Sequence, residues 1–342
     1  MKTKLLTAMS EDDTQSVSAA AEILKSGGLV AIPTETVYGL AASAYSEQAV
    51  KNIFKAKGRP GDNPLIVHIS NIDQLDDIAD GIDDTARKCM EEFWPGPFTA
   101  VVKKSRKIPY CVSGGLETVA VRMPSNPVAR AIISASGLPL AAPSANLSGS
   151  PSPTTARHTL NDLNGRVDAI VMSGDCSVGV ESTVVSFVCN PPRLLRPGGI
   201  TLEQLRQIIP EITVDPAVVS EPEEGAAVAS PGMKYKHYSP KADVVMVVGT
   251  SGKFCEYCNN NTDNFDLALC FEEDKDCLKL PFVCYGKEHD DKTQAELLFI
   301  KLHEIDERGF KKVAAHAPEK SGIGLAVYNR LIRAAGFNVI EL

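Results

Sequence analysis

Short apolar runs alternate with segments of helical period along most of the chain. The first predicted helix opens at Asp13-Thr14 and ends at Gly27-Gly28, and a second runs from the N-cap Ser46 to Gly58. Further helices are predicted at about 83–94, 126–136, 154–163 and 201–209, and strands at 29–33, 65–69, 98–102, 118–123, 138–142, 169–172 and 182–187. This alternation is typical of an α/β domain.

The pattern stops and then restarts. Residues 210–240 are rich in Pro, Gly, Glu and Ala without a period, which indicates a linker. Strands are then predicted at 242–248, 265–270, 280–285, 311–317 and 337–342, with helices near 251–259, 291–309 and 325–336. We therefore predict a first domain over 1–209, a linker or lid over 210–240, and a small parallel-sheet α/β domain over 241–342.

Composition narrows the functional classes. The 342 residues are 44% hydrophobic and 23% charged, as in ordinary globular proteins, and the net charge is −8. An acidic balance argues against a general polyanion-binding surface, so any cationic site must be local. We see no secretory signal and no membrane span, and the nine scattered Cys fit a reducing cytoplasm, where we expect the protein.

Metal-binding patterns are weak. Cys255 and Cys258 form the only CxxC, which is better interpreted as two ordinary thiols on a helix than as half of a zinc site. We therefore predict no protein metal site.

Cationic groups concentrate in FKAKGRPGDNPLIVHIS, residues 54–70. Lys57 and Arg59 flank Gly58 where a helix ends, and Asn63 and two prolines follow, which favours a preformed anion cradle. A solvated basic loop is the alternative for Lys57 and Arg59 taken alone. His68 interrupts the strand and is either a structural histidine or part of the site.

Polar side chains also follow other strand ends. The segment AAPSANLSGSPSPTT places Ser144, Asn146 and Ser152 in a loop after a strand, where α/β proteins bind ligands. Arg122 lies in an apolar strand and needs an anionic partner, either a ligand carboxylate or an Asp or Glu side chain. The segment PTETVYGLAASA holds Thr36 in a turn after a strand.

Two later segments complete the candidate chemistry. Ser182 opens a strand and Arg196 ends another before Pro-Gly-Gly. In the linker, SPGMKYKHYSP places Tyr235 and Tyr238 among cations, which suggests a segment that folds over an anion. The sequence contains no GxxxxGK[ST], GxGxxG after a strand, HExxH or GxSxG, so a nucleotide site would need another architecture.

These motifs together resemble the L-threonylcarbamoyladenylate synthases, in their two-domain form. The KxR at 57–59, the SxN at 144–146, PTETVYGL, GRPxxNPLIVHI and SPGMKYKHYSP occur in order, and the resemblance covers essentially the whole chain. It implies a YrdC-like catalytic domain, a twisted mixed α/β sheet with a concave basic pocket, followed by a small Rossmann-like domain.

The resemblance also implies a reaction. L-threonine, bicarbonate and ATP give L-threonylcarbamoyladenylate and pyrophosphate, and other proteins then use the product to modify the tRNA adenosine next to the anticodon. The amine captures carbon dioxide as a carbamate, whose oxygen attacks the α-phosphorus. Such a nucleotidyltransferase needs no protein nucleophile. The protein instead positions the substrates and stabilises their negative charges, and Mg²⁺ accompanies ATP.

Residue roles follow from the same resemblance. L-threonine would be bound by Thr36, His68, Arg122, Ala142 and Ser182, with its carboxylate on Arg122. ATP would be bound by Lys57, Arg59, Asn63, Thr118, Ser144, Ser152, Arg196 and either Tyr235 or Tyr238. Lys57, Arg59, Ser144 and Asn146 would form the catalytic set, with Lys57 and Arg59 nearest the phosphates.

Two alternatives share the YrdC-like domain. One is an RNA-binding module. The acidic net charge argues against it, but binding of tRNA by this protein is compatible with the sequence. The other is a carbamoyl transferase of the hydrogenase-maturation type, which would carry zinc-finger pairs and an acylphosphatase region that this sequence lacks. Proteins that transfer the threonylcarbamoyl group to tRNA are expected downstream partners.

Overall fold

A computed structural model describes residues 2–221 and 238–342. The described chain divides into two compact units. The first contains residues 2–148 and 152–218, and the second contains residues 238–342 together with 149–151 and 219–221.

The first unit alternates strands and helices. Its strands are β1 (Lys4–Thr7), β2 (Val30–Ile32), β3 (Gly39–Ser43), β4 (Ile66–His68), β5 (Phe98–Lys103), β6 (Thr118–Arg122), β7 (Leu140–Ala141), β8 (Ala169–Met172), β9 (Thr183–Ser186), β10 (Arg193–Arg196) and β11 (Thr213–Val214). Its helices are α1 (Thr14–Lys25), α2 (Glu47–Lys57), α3 (Leu75–Ile78), α4 (Asp84–Phe93), α5 (Tyr110–Ser113), α6 (Pro127–Ser136), α7 (Ala156–Leu163) and α8 (Leu202–Ile208), with short 3-10 turns at Ile72–Gln74 and Pro216–Val218.

These strands form one twisted mixed sheet. The order is β1-β8-β2-β3-β7-β4-β6-β5-β9-β10-β11. Successive residues of β2 face opposite sides, and both sides are covered by apolar packing: α1 and α6 on one face, α2 and α4 on the other. The centre of the sheet is therefore dry, and polar side chains there need partners or a ligand.

The second unit is a five-stranded parallel sheet. Its strands are β12 (Asp243–Val248), β13 (Leu267–Cys270), β14 (Phe282–Cys284), β15 (Lys312–His316) and β16 (Val339–Glu341), in the order β14-β13-β15-β12-β16. Its helices are α9 (Ser251–Asn260), α10 (Asp291–Arg308) and α11 (Gly324–Ala334), with a 3-10 turn at Glu272–Asp274. The mixed sheet followed by a parallel sheet confirms the predicted fold class.

Three strands were not predicted from the sequence: β1, β3 and the two-residue β11, which lies in the segment predicted as a linker. β1 is an edge strand whose residues are largely exposed, so it shows no apolar run. β3 lies within PTETVYGLAASA, which the sequence indicated as a turn, and it pairs antiparallel with β2. Its small buried residues show no alternation because both faces of the sheet are covered.

The structure corrects the interpretation of Cys255 and Cys258 as two ordinary thiols. Cys255 and Cys258 do lie on α9, but Cys255 forms a disulfide with Cys277, 22 residues away, across a Cα–Cα distance of 5.9 Å. Cys258 is buried as a free thiol. A CxxC count cannot anticipate this bond, because the turn at Glu272–Asp274 brings Cys277 back against α9.

Part of the linker prediction lies outside the described residues, including Tyr235. Tyr238 is described: it is buried, has a backbone φ of 65°, and packs against Phe299 with ring centroids 5.5 Å apart. None of the helices in the described chain combines the length and apolarity needed to cross a membrane.

Candidate active site

The end of β4 and the end of β6 place two predicted residues side by side. The strands are parallel, and His68 pairs in register with Arg122. His68 is 4% exposed and Arg122 3% exposed. Ala142 follows β7 and lies opposite the first residue of β4, because its backbone N–H donates to the carbonyl of Ile66 at 2.9 Å. His68 and Arg122 therefore share one strand end, and Ala142 lies two residues further back along β4.

Arg122 contacts three protein groups, which leaves two of its five N–H donors for a ligand. Its Nη1 donates to Thr36 Oγ1 at 2.8 Å, its Nε donates to the carbonyl of Gly96 at 3.2 Å, and its Nη2 lies 2.6 Å from Glu35 Oε1. The Arg122 and Glu35 side chains are 4% and 7% exposed. Of the two anionic partners that the sequence allowed, the structure supplies a side chain, Glu35.

Glu35 is a residue that sequence analysis missed. Its Oε2 is buried and has no hydrogen-bond donor among residues 2–221 and 238–342. Leaving a buried carboxylate oxygen unpaired is costly, which makes it a natural acceptor for a ligand donor. The only signal in the sequence was an acid within the apolar context of PTETVYGL.

His68 is a neutral imidazole. Burial lowers its pKa to about 3, and the nearby positive Arg122 acts in the same direction. Its Nδ1 lies 3.2 Å from the carbonyl of Ile66, and since a carbonyl only accepts, Nδ1 carries the proton. Nε2 is then the acceptor nitrogen of the ring.

Lys57 connects the KxR and SxN motifs. It ends α2, and Gly58 follows in the left-handed conformation, with φ 64°. The Lys57 Nζ donates to the carbonyl of Ser144 at 2.5 Å, to the carbonyl of Asn146 at 2.6 Å and to Asn146 Oδ1 at 3.2 Å. The Ser144 hydroxyl also donates to Asn146 Oδ1 at 2.6 Å. All three ammonium protons therefore fix the loop that follows β7.

This geometry excludes the alternative of a solvated basic loop for Lys57. Lys57 is only 3% exposed, whereas Arg59 is half-buried. Burial holds the pKa of Lys57 well below its ordinary value, and Arg59 lowers it further. The carboxylates of Asp162 and Glu181 act in the opposite direction and favour the charged form.

A second buried arginine anchors Ser182. Arg196 donates through Nε to the Ser182 carbonyl at 3.0 Å and through Nη2 to the Ser182 hydroxyl at 3.1 Å. That hydroxyl also lies 2.7 Å from Thr99 Oγ1. The structure therefore joins one predicted threonine-binding residue to one predicted nucleotide-binding residue.

Ser152 is fixed by another acid that the sequence analysis missed. Its hydroxyl donates to Glu181 Oε1, and both side chains are buried. Glu181 also contributes to the electrostatic environment of Lys57, where it favours the charged form.

Asn63 is a buried side chain whose polar atoms lack hydrogen-bond partners among the described residues. It is 0% exposed, and neither its Nδ2 nor its Oδ1 has a hydrogen-bond partner among the described residues. An unsatisfied buried polar group costs about 1–3 kcal/mol. A ligand that offers both a donor and an acceptor would remove that cost.

Thr118 marks the other end of β6. It lies four residues before Arg122, which corresponds to about 13 Å along a strand. It is only partly buried. A ligand that contacted both residues would need to extend along the strand.

Backbone hydrogen bonds bring the separate motifs together around PTETVYGL. The Tyr38 N–H donates to the carbonyl of Pro153, and the Tyr38 carbonyl accepts from Ala145. The Glu35 carbonyl accepts from Val178. The segment that carries Glu35 and Thr36 thus connects the SxN loop, the Ser152 loop and the approach to Ser182.

Comparison with known proteins identifies this assembly. Residues 22–198 match the Sua5/YciO/YrdC family, described as "Telomere recombination", and residues 200–336 match the family described as "Threonylcarbamoyl-AMP synthase, C-terminal domain". Threonylcarbamoyl-AMP synthase of Pyrococcus abyssi is 43% identical over 335 residues, which cover 95% of this chain and 96% of the relative. The protein of that name from Bacillus subtilis is 43% identical over 337 residues, covering 97% and 96%.

A solved structure agrees in both sequence and shape. The crystal structure of P. abyssi Sua5 complexed with L-threonine has a TM-score of 0.90 and 39% identity, with 100% of both chains covered. The chain therefore belongs to the threonylcarbamoyl-AMP synthases, in the form that joins a Sua5/YciO/YrdC domain to a Sua5 C-terminal domain.

Proposed function

We propose that this chain condenses L-threonine, bicarbonate and ATP to L-threonylcarbamoyladenylate, with release of pyrophosphate and water. The observation that carries the proposal is the set of three hydrogen bonds from Lys57 to Ser144 and Asn146. They join the KxR and SxN motifs, two of the five on which the family resemblance depends, through direct hydrogen bonds. The relative complexed with L-threonine supports the amino acid substrate.

At the amino acid end, Arg122 would bind the threonine carboxylate. Thr36, His68, Ala142 and Ser182 would surround the rest of the molecule. Glu35 adds a role that the sequence did not suggest: its unpaired Oε2 would accept a hydrogen bond from the substrate amine. A carboxylate beside a guanidinium matches the opposite charges of a zwitterionic amino acid.

At the nucleotide end, Asn63 and Thr118 would bind the nucleoside. Arg59, Ser144, Ser152 and Arg196 would contact the phosphates and ribose, and Tyr235 or Tyr238 would cover the nucleotide as a lid. Lys57 would act mainly by fixing the SxN loop, because its three protons are already bonded there. Asn146 would complete the catalytic set with Lys57, Arg59 and Ser144.

The reaction would proceed without a covalent intermediate on the protein, and charged and polar side chains would position the substrates. The amine attacks the carbon of carbon dioxide derived from bicarbonate, and the resulting carbamate oxygen attacks the α-phosphorus while pyrophosphate leaves. Fixed donors from Arg59 and Ser144 would stabilise the charge that develops on the phosphates. The concave basic pocket remains part of this proposal.

Mg²⁺ would enter as part of the MgATP substrate. Within the part of the chain that the structure describes, no group of three or more His, Cys, Asp or Glu side chains is arranged for a metal ion. The bound ion would neutralise phosphate charge. A cytoplasmic location and downstream threonylcarbamoyl transfer proteins belong to the same proposal.

The deciding experiment uses the full chain with ATP, labelled bicarbonate and a panel of amino acids. We expect pyrophosphate release and a labelled adenylate with L-threonine only. Release without dependence on the amino acid would overturn the proposal. Steeply salt-dependent tRNA binding without any such turnover would favour the RNA-binding module instead, and tRNA binding beside full turnover would add a partner.

A further inference from the structure

The loop after β7 that carries the SxN motif, residues 144–148, is bonded to side chains of opposite charge. The Lys57 Nζ donates to the carbonyls of Ser144 and Asn146, at 2.5 Å and 2.6 Å. The next backbone N–H along the loop, that of Leu147, donates to Asp162 Oδ2 at 3.0 Å. An ammonium therefore holds carbonyl groups of this loop, and a carboxylate holds one of its N–H groups.

Two more hydrogen bonds complete the pairing around Leu147. Its carbonyl accepts from Asn146 Nδ2 at 2.9 Å, and the N–H of the following residue, Ser148, donates to the Lys57 carbonyl at 2.9 Å. Among these bonds, the one to Asp162 is the only one whose partner lies outside the KxR motif and the loop itself. Breaking it would leave the Leu147 N–H without its acceptor.

The helix α7 brings Asp162 to the loop. α7 begins after the N-cap Thr155, whose hydroxyl accepts from the His158 N–H at 3.1 Å, and it ends at Leu163. Asp162 is the last but one residue, in a turn that contains no basic residue. Because the helix dipole disfavours an acid near the C-terminal end of a helix, the placement of Asp162 is explained by partners outside α7.

The charge of Lys57 depends on its neighbours, because the side chain is only 3% exposed. Burial and the charge of Arg59 both lower the pKa of Lys57, whereas the carboxylates of Asp162 and Glu181 act to raise that pKa. Glu181 also accepts a hydrogen bond from the Ser152 hydroxyl. Asp162 is therefore bonded to the loop and also favours the charged form of the lysine that holds the loop.

We propose that Asp162 is a positioning residue for the nucleotide site, which fixes the SxN loop through the Leu147 N–H and provides a counter-charge for the Lys57 ammonium. Neither the motifs nor the family resemblance gave Asp162 a role. The inference rests on the proposed function in one respect, the contact of Ser144 with ATP. Asp162 itself acts through the loop and does not touch the substrates.

Hydrogen exchange of the full chain without ligands tests the contact with the loop. In Asp162→Ala the amides of Leu147 and Ser148 should exchange about tenfold faster, because one hydrogen bond to a charged group is lost. Asp162→Asn keeps an acceptor oxygen, so its exchange should stay close to that of the unaltered chain. The matched control is Asp76→Ala, which replaces an exposed acid on α3 and should change nothing at these amides.

The pH dependence of threonine-dependent pyrophosphate release tests the counter-charge. Both Asp162→Ala and Asp162→Asn remove a negative charge that favours the Lys57 ammonium, so Lys57 should lose its proton at a lower pH. The alkaline limb of kcat/KM for ATP should therefore move down by about half a pH unit in both variants, the effect of one partly solvated charge. The KM for ATP should also rise in Asp162→Ala, while the KM for L-threonine stays unchanged.

Three outcomes would overturn the proposal. Unchanged exchange at Leu147 and Ser148 in Asp162→Ala would show that Asp162 does not fix the loop. Equally fast exchange in Asp162→Asn would show that its acceptor oxygen is not what holds Leu147. An alkaline limb that stays in place in both variants would remove the counter-charge. If the unaltered chain releases no pyrophosphate, the proposed function fails, and hydrogen exchange still decides whether Asp162 fixes the loop.

Discussion

Among the described residues, each unit contains a buried pair of oppositely chargeable side chains, and the two pairs have different surroundings. In the first unit, Arg122 contacts Glu35 at 2.6 Å, and Glu35 Oε2 has no partner among the described residues. In the second unit, His316 contacts Asp274 at 2.8 Å and is stacked on Phe254. We propose that such a pair forms part of a substrate site in the first unit and a structural support in the second.

The two pairs resemble each other in one respect, because Asp274 Oδ1, like Glu35 Oε2, has no hydrogen-bond partner among the described residues. They differ at the cationic partner: His316 has both ring nitrogens on protein acceptors, whereas Arg122 Nη2 contacts only Glu35. The first unit also buries Asn63, whose two amide atoms both lack a partner among the described residues. Burial of charge and a single unpaired carboxylate oxygen occur in both units, so neither feature alone indicates function.

The largest effect is expected when the first pair is broken. Arg122→Ala leaves Glu35 buried without its cation and should lower the free energy of unfolding by about 3–5 kcal/mol, and it should abolish pyrophosphate release. Denaturant unfolding and a pyrophosphate assay measure these two effects. Arg130→Ala, an exposed arginine on α6, is the control.

A double variant separates stability from function. Glu35→Gln with Arg122→Met removes both charges and should recover most of the lost stability but none of the activity. Recovery of activity together with stability would show that Arg122 has only a structural role.

The second pair should behave differently when broken. Asp274→Ala leaves His316 Nδ1 without its acceptor and should cost about 3 kcal/mol in the unfolding of the second unit. Threonine-dependent turnover of the folded fraction should stay close to that of the unaltered chain. Asp276→Ala, an exposed neighbour, should change neither quantity. If Asp274→Ala lost as much turnover as Arg122→Ala, the two pairs would not differ in function as proposed.

His68 predicts a smaller, pH-dependent effect. Its folded pKa of about 3 lies below the ordinary 6.5, so between these values the unfolded chain binds a proton that the folded chain does not. Its contribution to stability is therefore fully present above about pH 6.5 and is lost as the pH falls, by up to about 1.4 kcal/mol per pH unit.

Replacing His68 tests that slope. His68→Gln should flatten the dependence of unfolding free energy on pH relative to the unaltered chain, measured by denaturant unfolding across this window. His289→Gln, a largely exposed histidine, should leave the slope unchanged. Identical slopes for all three proteins would mean that His68 is not held neutral by burial.

The smallest effect on stability is expected at Asn63. Asn63→Ala removes an amide whose two polar atoms have no partner, so the unfolding free energy should stay within about 1 kcal/mol of the original or rise. ATP affinity, measured by calorimetry, should nevertheless fall about tenfold. A clear loss of stability with unchanged ATP affinity would assign Asn63 a structural role.

Local signals predicted most helices and strands. In α2, the Ser46 hydroxyl accepts from the Ala49 N–H at 3.2 Å and Gly58 adopts a left-handed conformation, as the capping pattern indicated. Strand β4 was visible as a buried apolar run. These features depend on neighbours within a few residues, which the sequence shows directly.

Long-range partners could not be predicted in the same way. Glu35 meets Arg122 and Lys57 meets Asn146 only because non-consecutive strands pair in the sheet. An acid at position 35 and a lysine at position 57 look ordinary until that order is known. The sequence therefore indicated the residue types of the site, while strand order determined which of them are bonded to one another.

The most direct measurement is a crystal structure of the full chain with L-threonine and a non-hydrolysable ATP analogue. The proposed site predicts the threonine carboxylate within hydrogen-bond distance of Arg122, its amine facing Glu35, and the phosphates beside Arg59 and Ser144. Threonine bound away from Arg122, or a nucleotide that leaves Asn63 without a partner, would contradict it.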